Sequence, residues 1–284
     1  MRQKYYSKDG TRVILRTGFE DLISYECKRD STTGVCYYVV KVPQTDEYGN
    51  KQYPFTIWPN QPNGGIQSTL QMNRERKFLV ATNGGGCYTP YDTAPTGLPI
   101  GPVIENGIVL WDPFKTWVPD MTEVPNRIMT IDGNGTLGYV RLDVTAEEMV
   151  ANGIVSCNYG WYPLIVNYRN FDEIDEGVAS HMNGTEAAQD AQRQAICQYE
   201  NGDYLIISAE GRNNRGGGFF TVRQMQTLCR QYGVKFAWLL DGGGSVETVI
   251  GNKQINNIYV GTYGRPIPTF IVFNGTTQFK ASNV

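Results

Sequence analysis

A chain of 284 residues with 40% hydrophobic content is long enough to bury a substantial core, in one large domain or two ordinary ones. Its formal net charge of -3 and pI near 5.4 leave no electrostatic footprint for nucleic acid or an anionic membrane surface, where clustered Lys and Arg are expected. A single histidine, His181, and six cysteines with no CxxC pair argue against a zinc cage, and nothing in the pattern calls for a metal or another cofactor.

Thirty-two glycines and eighteen tyrosines favour many short strands joined by tight turns. The first residues lack the apolar stretch of a secretory signal, and no apolar run is long enough to span a bilayer. The expectation is a product made in the cytoplasm without membrane insertion. Residues 11–15, 36–42 and 53–58 read as strands, with Asp46-Glu47-Tyr48-Gly49-Asn50 as a turn. A short amphipathic piece at 66–76 leads into an apolar strand, 78–81, which runs out into Asn83-Gly84-Gly85-Gly86. Strands follow at 103–110, 127–131 and 137–142, and Thr145 with Glu148 forms a capping-box pattern for a short helix ending before Gly153. The stretch 170–190, rich in Asp, Glu and Asn, reads as a mobile or inserted loop with His181 exposed in it.

The last third is the clearest. Strands 194–199 and 204–209 flank a turn at 200–203, and a glycine-rich loop covers 211–218. A helix then starts at Thr221, with Gln224 at N3 and an apolar side of Val222, Met225, Leu228, Cys229 and Tyr232. The apolar strand 236–240 delivers Asp241. With no linker between units, the expected class is α+β, a β-rich single domain of mixed or antiparallel sheets with a few short helices. It would cover residues 36–284, preceded by an extension, 1–35, whose strands pack on it.

Asp241-Gly242-Gly243-Gly244-Ser245 places a carboxylate at the exit of a core strand, beside backbone N–H groups freed by glycine. Such a site suits sugar or phosphate chemistry, although Asp-Gly is also a favoured hairpin turn. Asn83, Gly84 and Gly85 repeat the arrangement after another apolar strand, either to let a ligand approach or to relieve a bend. Arg193, Arg212 and Arg265 stand beside strands or glycine loops and are candidate phosphate ligands, against the commoner role of a structural ion pair. There is no nucleophile elbow, Walker loop or dinucleotide fingerprint.

The order of these motifs resembles the phosphodiester glycosidase family. Its Asn-Gly-Gly exit appears at Leu79 to Gly85, its Ile-Glu-Asn-Gly element at Ile104-Glu105-Asn106-Gly107, and its Pro-Leu-Leu-Val strand at Pro163-Leu164-Ile165-Val166. Arg193-Gln194-Ala195-Ile196, Gly211-Arg212, Leu239-Leu240-Asp241-Gly242-Gly243-Gly244-Ser245 and Arg265-Pro266-Ile267-Pro268 follow in the family's order. The chain departs from the pattern at Gly86-Cys87-Tyr88 and Ser245-Val246-Glu247-Thr248, and lacks a histidine often found before the arginine matched by Arg193. These departures bear on the sugar more than on the reaction.

The resemblance implies hydrolysis of the bond between an anomeric carbon and a phosphodiester oxygen. It would use Asp241 as the central carboxylate, Glu105 or Glu210 as the second acid/base and Arg193 with Arg212 as the phosphate clamp. The amides around Gly84-Gly85 and Gly243-Gly244 would add donors, and Gly242, Ser245 and Arg265 would complete the substrate site. The composition and the missing signal also resemble bacteriophage tail proteins. This implies a carbohydrate phosphodiester in a host surface polymer as substrate, tail or other virion proteins as partners, and the virion or host surface as location. A cytoplasmic enzyme acting on a metabolite is the competing setting, and a silent glycan-binding or structural virion domain the competing function.

Overall fold

Two six-residue strands pair with each other at the centre of the molecule. β14 (Arg193–Gln198) and β15 (Tyr204–Ala209) are buried at every position, so both of their faces are covered. They form an antiparallel hairpin in register from Arg193↔Ala209 to Gln198↔Tyr204. The computed structural model describes residues 4–6, 13–15, 19, 21–47, 49–59, 65–87, 97–113, 127–211, 218–257 and 264–274.

The hairpin sits inside a seven-stranded sheet. Its order is β13 (Arg169–Asn170), β12 (Pro163–Val166), β16 (Phe236–Leu239), β14, β15, β4 (Cys36–Val42) and β3 (Ser24–Arg29). A five-stranded sheet runs β18 (Lys253–Gln254), β17 (Thr248–Ile250), β6 (Val80–Asn83), β19 (Phe270–Phe273) and β5 (Phe55–Ile57). Another runs β10 (Leu137–Arg141), β9 (Arg127–Asp132), β11 (Ile154–Asn158), β7 (Val103–Glu105) and β8 (Ile108–Trp111). β1 (Lys4–Tyr6) and β2 (Val13–Leu15) form a two-stranded antiparallel sheet.

Strand alternation sorts the core into two layers. Ala195, Cys197, Leu205 and Ile207 pack with Met225 and Cys229 of α4 (Val222–Gln231) and Val178 and Met182 of α3 (Glu176–Met182). Their neighbours Ile196, Tyr204 and Ile206 face the other way, onto Ile271 and Phe273 of one smaller sheet and Met129 and Ile131 of the other. A fully buried side chain of this kind contributes about 1.5–3 kcal/mol, so two-sided burial, more than turn propensity, fixes these strands at the centre.

The fold class is the expected one, and both expected capping boxes are present, at Thr145–Glu148 before α2 (Ala146–Ala151) and at Thr221–Gln224 before α4. A further capping box, Ser68–Gln71, starts α1 (Thr69–Arg76). Three expectations are corrected. The single strand at 103–110 is the hairpin β7–β8, because Asn106 and Gly107 both take positive φ, 51° and 76°, as a two-residue type I′ turn requires. The stretch 170–190 is not a plain loop: it carries a 3-10 turn, Phe171–Glu173, then α3, then a second 3-10 turn, Glu186–Ala188. Buried Phe171, Val178 and Met182 anchor it. His181 is not exposed either; its Nδ1 lies 3.1 Å from the Tyr162 hydroxyl, and its ring packs on Trp161 and Tyr162. Within the first 35 residues, β3 pairs with β4 along its whole length.

Candidate active site

Two sheets bring strand ends to one edge of the molecule. The Leu240 amide donates to the Gln194 carbonyl at 2.9 Å, so Asp241 leaves β16 beside the start of β14. β6 ends at Asn83, paired with Phe270 at the start of β19. Asn83 Nδ2 donates to the Asp241 carbonyl at 2.9 Å, which ties the two glycine-rich exits together. Beneath them lies a buried polar junction between the sheets: Gln194 Nε2 donates to Thr82 Oγ1 at 2.7 Å and Thr248 Oγ1 at 2.9 Å, and Ser208 and Thr248 share a hydrogen bond of 2.9 Å.

Asp241 heads a compact charged cluster. Its Oδ2 accepts from Ser245 Oγ at 2.5 Å and from Arg265 Nη2 at 3.1 Å, while Arg265 Nε donates to Ser245 Oγ at 3.0 Å. The Arg265 amide donates to the Gly244 carbonyl at 3.0 Å, fixing the arginine at its base. Among the described residues nothing donates to Asp241 Oδ1. The carboxylate side chain is 15% exposed and the guanidinium side chain 42%, so the cation stands at the outer side of the pair.

Glu210 follows β15 and is 1% exposed. Its Oε1 accepts from the Tyr38 hydroxyl at 2.9 Å and from Asn257 Nδ2 at 2.6 Å, but its Oε2 is buried without a donor among the described residues. Burial, and then the Glu210 carboxylate, push the Tyr38 hydroxyl well above the ordinary tyrosine range. Gln192 ties together the chain segments beside the two carboxylates: its carbonyl accepts from the Gly243 amide at 2.9 Å and its Nε2 donates to the Asn257 carbonyl at 2.9 Å. Its Oε1 is again buried and bare, as is Oδ1 of Asn158, which lies against Gly84 and Gly85. A buried acceptor left without a donor costs about 1–3 kcal/mol, and such groups in a folded protein call for an explanation.

Of the residues expected from sequence, Asp241, Glu210, Asn83, Gly84, Gly85, Gly242, Gly243, Gly244, Ser245 and Arg265 lie on these connected strand exits. Arg193 starts β14 there, but its Nε donates to the Phe220 carbonyl at 3.2 Å and its Nη2 to the Gln189 carbonyl at 2.9 Å. It holds neighbouring backbone in place from within the core. Arg212 lies outside the described residues. Glu105 is elsewhere, in a hollow of about 370 Å³ lined by Phe55, Trp58, Arg76 and Phe78, with none of Asp241, Ser245 or Arg265 on its wall. Burial pushes its carboxyl up.

The glycines also differ from the expectation. The amides of Gly84 and Gly243 are spent on Thr269 and Gln192, leaving those of Gly85 and Gly244 without a protein acceptor among the described residues. Tyr38, Asn158, Gln192 and Asn257 carried no sequence signal, since each is a lone polar residue in or beside a strand. Glu247, also buried, accepts from the Leu70 amide at 3.2 Å in the first turn of α1, and burial pushes its carboxyl up.

A β-rich α+β domain with a carboxylate, a guanidinium and bare buried acceptors at converging strand exits is the class that fold and site define. Residues 76–274 match the family model of NAGPA, phosphodiester glycosidase, and the chain belongs to that family. A Bacillus subtilis (strain 168) relative, the SPbeta prophage-derived uncharacterized protein YomE, is 26% identical over 257 residues, covering 86% of this chain and 37% of its own length. The chain thus spans little more than a third of that protein. In fold it is similar to the zebrafish N-acetylglucosamine-1-phosphodiester alpha-N-acetylglucosaminidase catalytic domain auto-inhibited by pro-peptide, with TM-score 0.63, 18% identity and 96% and 87% of the two chains covered. It is also similar to a hypothetical protein from Synechocystis, with TM-score 0.60, 14% identity and coverage of 88% and 62%. Among the described residues no helix is long and apolar enough to cross a membrane, and no three His, Cys, Asp or Glu side chains gather as a metal site would need.

Proposed function

We propose that this chain is a hydrolase that cleaves the bond between a sugar's anomeric carbon and a phosphodiester oxygen, with Asp241 as its central carboxylate. What carries this reading is the Asp241–Ser245–Arg265 cluster at the converging strand exits, in which Asp241 Oδ1 receives no donor among the described residues and the Arg265 side chain is 42% exposed. A carboxylate oxygen left open suits a cationic anomeric centre, and a phosphodiester brings the anion that an outward guanidinium attracts. Family membership supports the same reaction.

In this scheme the C1–O bond to phosphorus breaks, a phosphate monoester departs, and water supplies the hydroxyl that ends on C1. The departing monoester is a weak base, so little proton donation is needed. The main demand is for negative charge at the anomeric centre and positive charge at the phosphate. Asp241 Oδ1 attacks or stabilises the developing cation at C1. Arg265, released from Asp241 Oδ2 toward the phosphate oxygens, takes up the clamp role that Arg193 leaves open, while Ser245 keeps its hydrogen bond to the carboxylate. Glu210, the other carboxylate on these strand exits, is the second acid/base of the scheme and takes the proton of the attacking water. Whether the released sugar keeps or inverts its configuration reports whether Asp241 bonds covalently to C1.

A phage setting, which the prophage-derived relative supports, extends the proposal to a host surface glycopolymer as substrate and virion proteins as partners. One observation favours a silent glycan-binding domain instead: Asp241 Oδ2 is already engaged by Ser245 and Arg265, as in a purely structural turn. The deciding experiment measures free sugar released from a panel of glycosyl-1-phosphodiesters by the native chain and by Asp241→Asn. Release that disappears in the variant establishes the reaction and its carboxylate. Release that survives in Asp241→Asn removes Asp241 from the chemistry, and no release from any member favours the silent domain.

A further inference from the structure

The strands that carry the candidate active site have a second end, and a hollow of about 640 Å³ opens there. Its wall includes Gln198 at the end of β14, Phe236 at the start of β16, the β9–β10 turn and the 199–202 turn. From Phe236 to Asp241 is five residue steps, roughly 17 Å of extended chain. The hollow is therefore separate from the Asp241 edge, and its volume falls within the range of small-ligand sites, about 300–1,000 Å³.

Its lining is polar in a particular way. Lys51, Asn134, Thr136 and Asn167 stand exposed on it, and their side chains have no hydrogen-bond or ion-pair partner among the described residues. Tyr139 and Tyr199 are half-buried in the same wall and their hydroxyls are likewise unengaged among those residues. Lys235 and Glu200 also line it, but they neutralise each other at 3.1 Å, so Lys51 is the unbalanced charge. Amides and hydroxyls that both donate and accept, two aromatic rings with apolar faces, and one cation together match a carbohydrate carrying a single negative group. A strongly anionic ligand would need more cations, and an apolar one would leave the amides and hydroxyls of the wall without partners.

We propose that this hollow is a second, non-catalytic carbohydrate site that holds a sugar-phosphate polymer away from its point of cleavage. The inference deepens the hydrolase reading and rests on it for the polymer. A chain held at both ends of the strands gains avidity without any new contact at Asp241, because the second binding event becomes intramolecular. A small glycosyl phosphodiester reaches only one end at a time.

The test follows backbone amide resonances of the Asp241→Asn protein by NMR during titration with methyl α-glucoside, methyl N-acetylglucosaminide, glucose 6-phosphate and glycerol 3-phosphate. At least one of the three sugars is expected to shift amides of residues 134–139, 167 and 199–202, with affinity about tenfold weaker in an added Lys51→Ala/Asn134→Ala pair. Both substitutions are on exposed side chains, and Asn167→Gly, which keeps the left-handed backbone at φ 49°, serves as a second disruption should the pair disturb folding. Shifts confined to the Asp241 edge, shifts caused by glycerol 3-phosphate alone, or no shifts with any probe each overturn the second site. The hydrolase reading is judged separately by sugar release from small phosphodiesters, which Lys51→Ala/Asn134→Ala should leave unchanged in an otherwise native chain.

Discussion

The two glycine runs, Gly84–Gly86 after β6 and Gly242–Gly244 after β16, look alike in sequence and exist for different physical reasons. At Gly85 a Cβ would fall 1.5 Å from the Tyr159 carbonyl oxygen, and at Gly84 2.6 Å from Thr269 Oγ1. Here glycine is demanded by neighbouring chain. At Gly243 a Cβ would meet nothing within 4 Å, but φ is +60°, a conformation other L-residues adopt at a cost. Crowding explains the first run and also Gly242, whose Cβ would fall 2.8 Å from the Gln192 carbonyl oxygen, whereas backbone conformation explains Gly243 at the centre of the second. Only the second leaves open space beside its carboxylate, which is where a ligand has room.

That contrast can be broken by substitution. The largest effect is expected from Gly85→Ala: with backbone on both sides of the clash, the loss should exceed about 3 kcal/mol, seen as failure to fold or a collapsed denaturation midpoint. Asp241→Asn should leave the midpoint almost unmoved while sugar release falls by at least about a hundredfold, equivalent to roughly 3 kcal/mol in the barrier. Gly243→Ala should fold normally and lose only about 1–2 kcal/mol, with Gly243→Asn milder because Asn tolerates the left-handed region. Equal damage from Gly243→Ala and Gly85→Ala would erase the distinction between the runs.

The smallest expected effect concerns Glu247. Burial raises its carboxyl, so its folded pKa lies above the unfolded value of about 4.3. Its contribution to stability is complete below that value and is lost as pH rises through the raised one. Denaturation of the native chain and of Glu247→Gln at acidic and neutral pH should show the native chain losing ground to the variant on going to neutral. A constant difference between the two pH values would refute the shift.

Local patterns made the central strands, both predicted capping boxes and the Asp241 exit legible, because each is encoded within about ten consecutive residues. The β7–β8 hairpin was written plainly in Asn106-Gly107, and the apolar residues on either side obscured it. α3 was hidden because Phe171, Val178 and Met182 are spaced among acids, where composition outweighs period. The candidate site was half legible: Asp241, Ser245 and Arg265 belong to motifs, whereas Tyr38, Asn158, Gln192 and Asn257 come together only in the folded chain. Arg193 shows the converse, since a motif arginine spends its donors on carbonyls of its own chain.

The buried junction of Gln194, Thr82, Thr248 and Ser208 has a practical meaning for anyone redesigning this domain. One amide serves hydroxyls on two strands of the facing sheet, so sliding either sheet by a residue would strand several polar atoms at once. The quartet therefore acts as an alignment key. Loops beyond the strand exits can be exchanged to change what is recognised, but the quartet must be replaced together or kept, because altering one member releases the alignment on which all the exits depend.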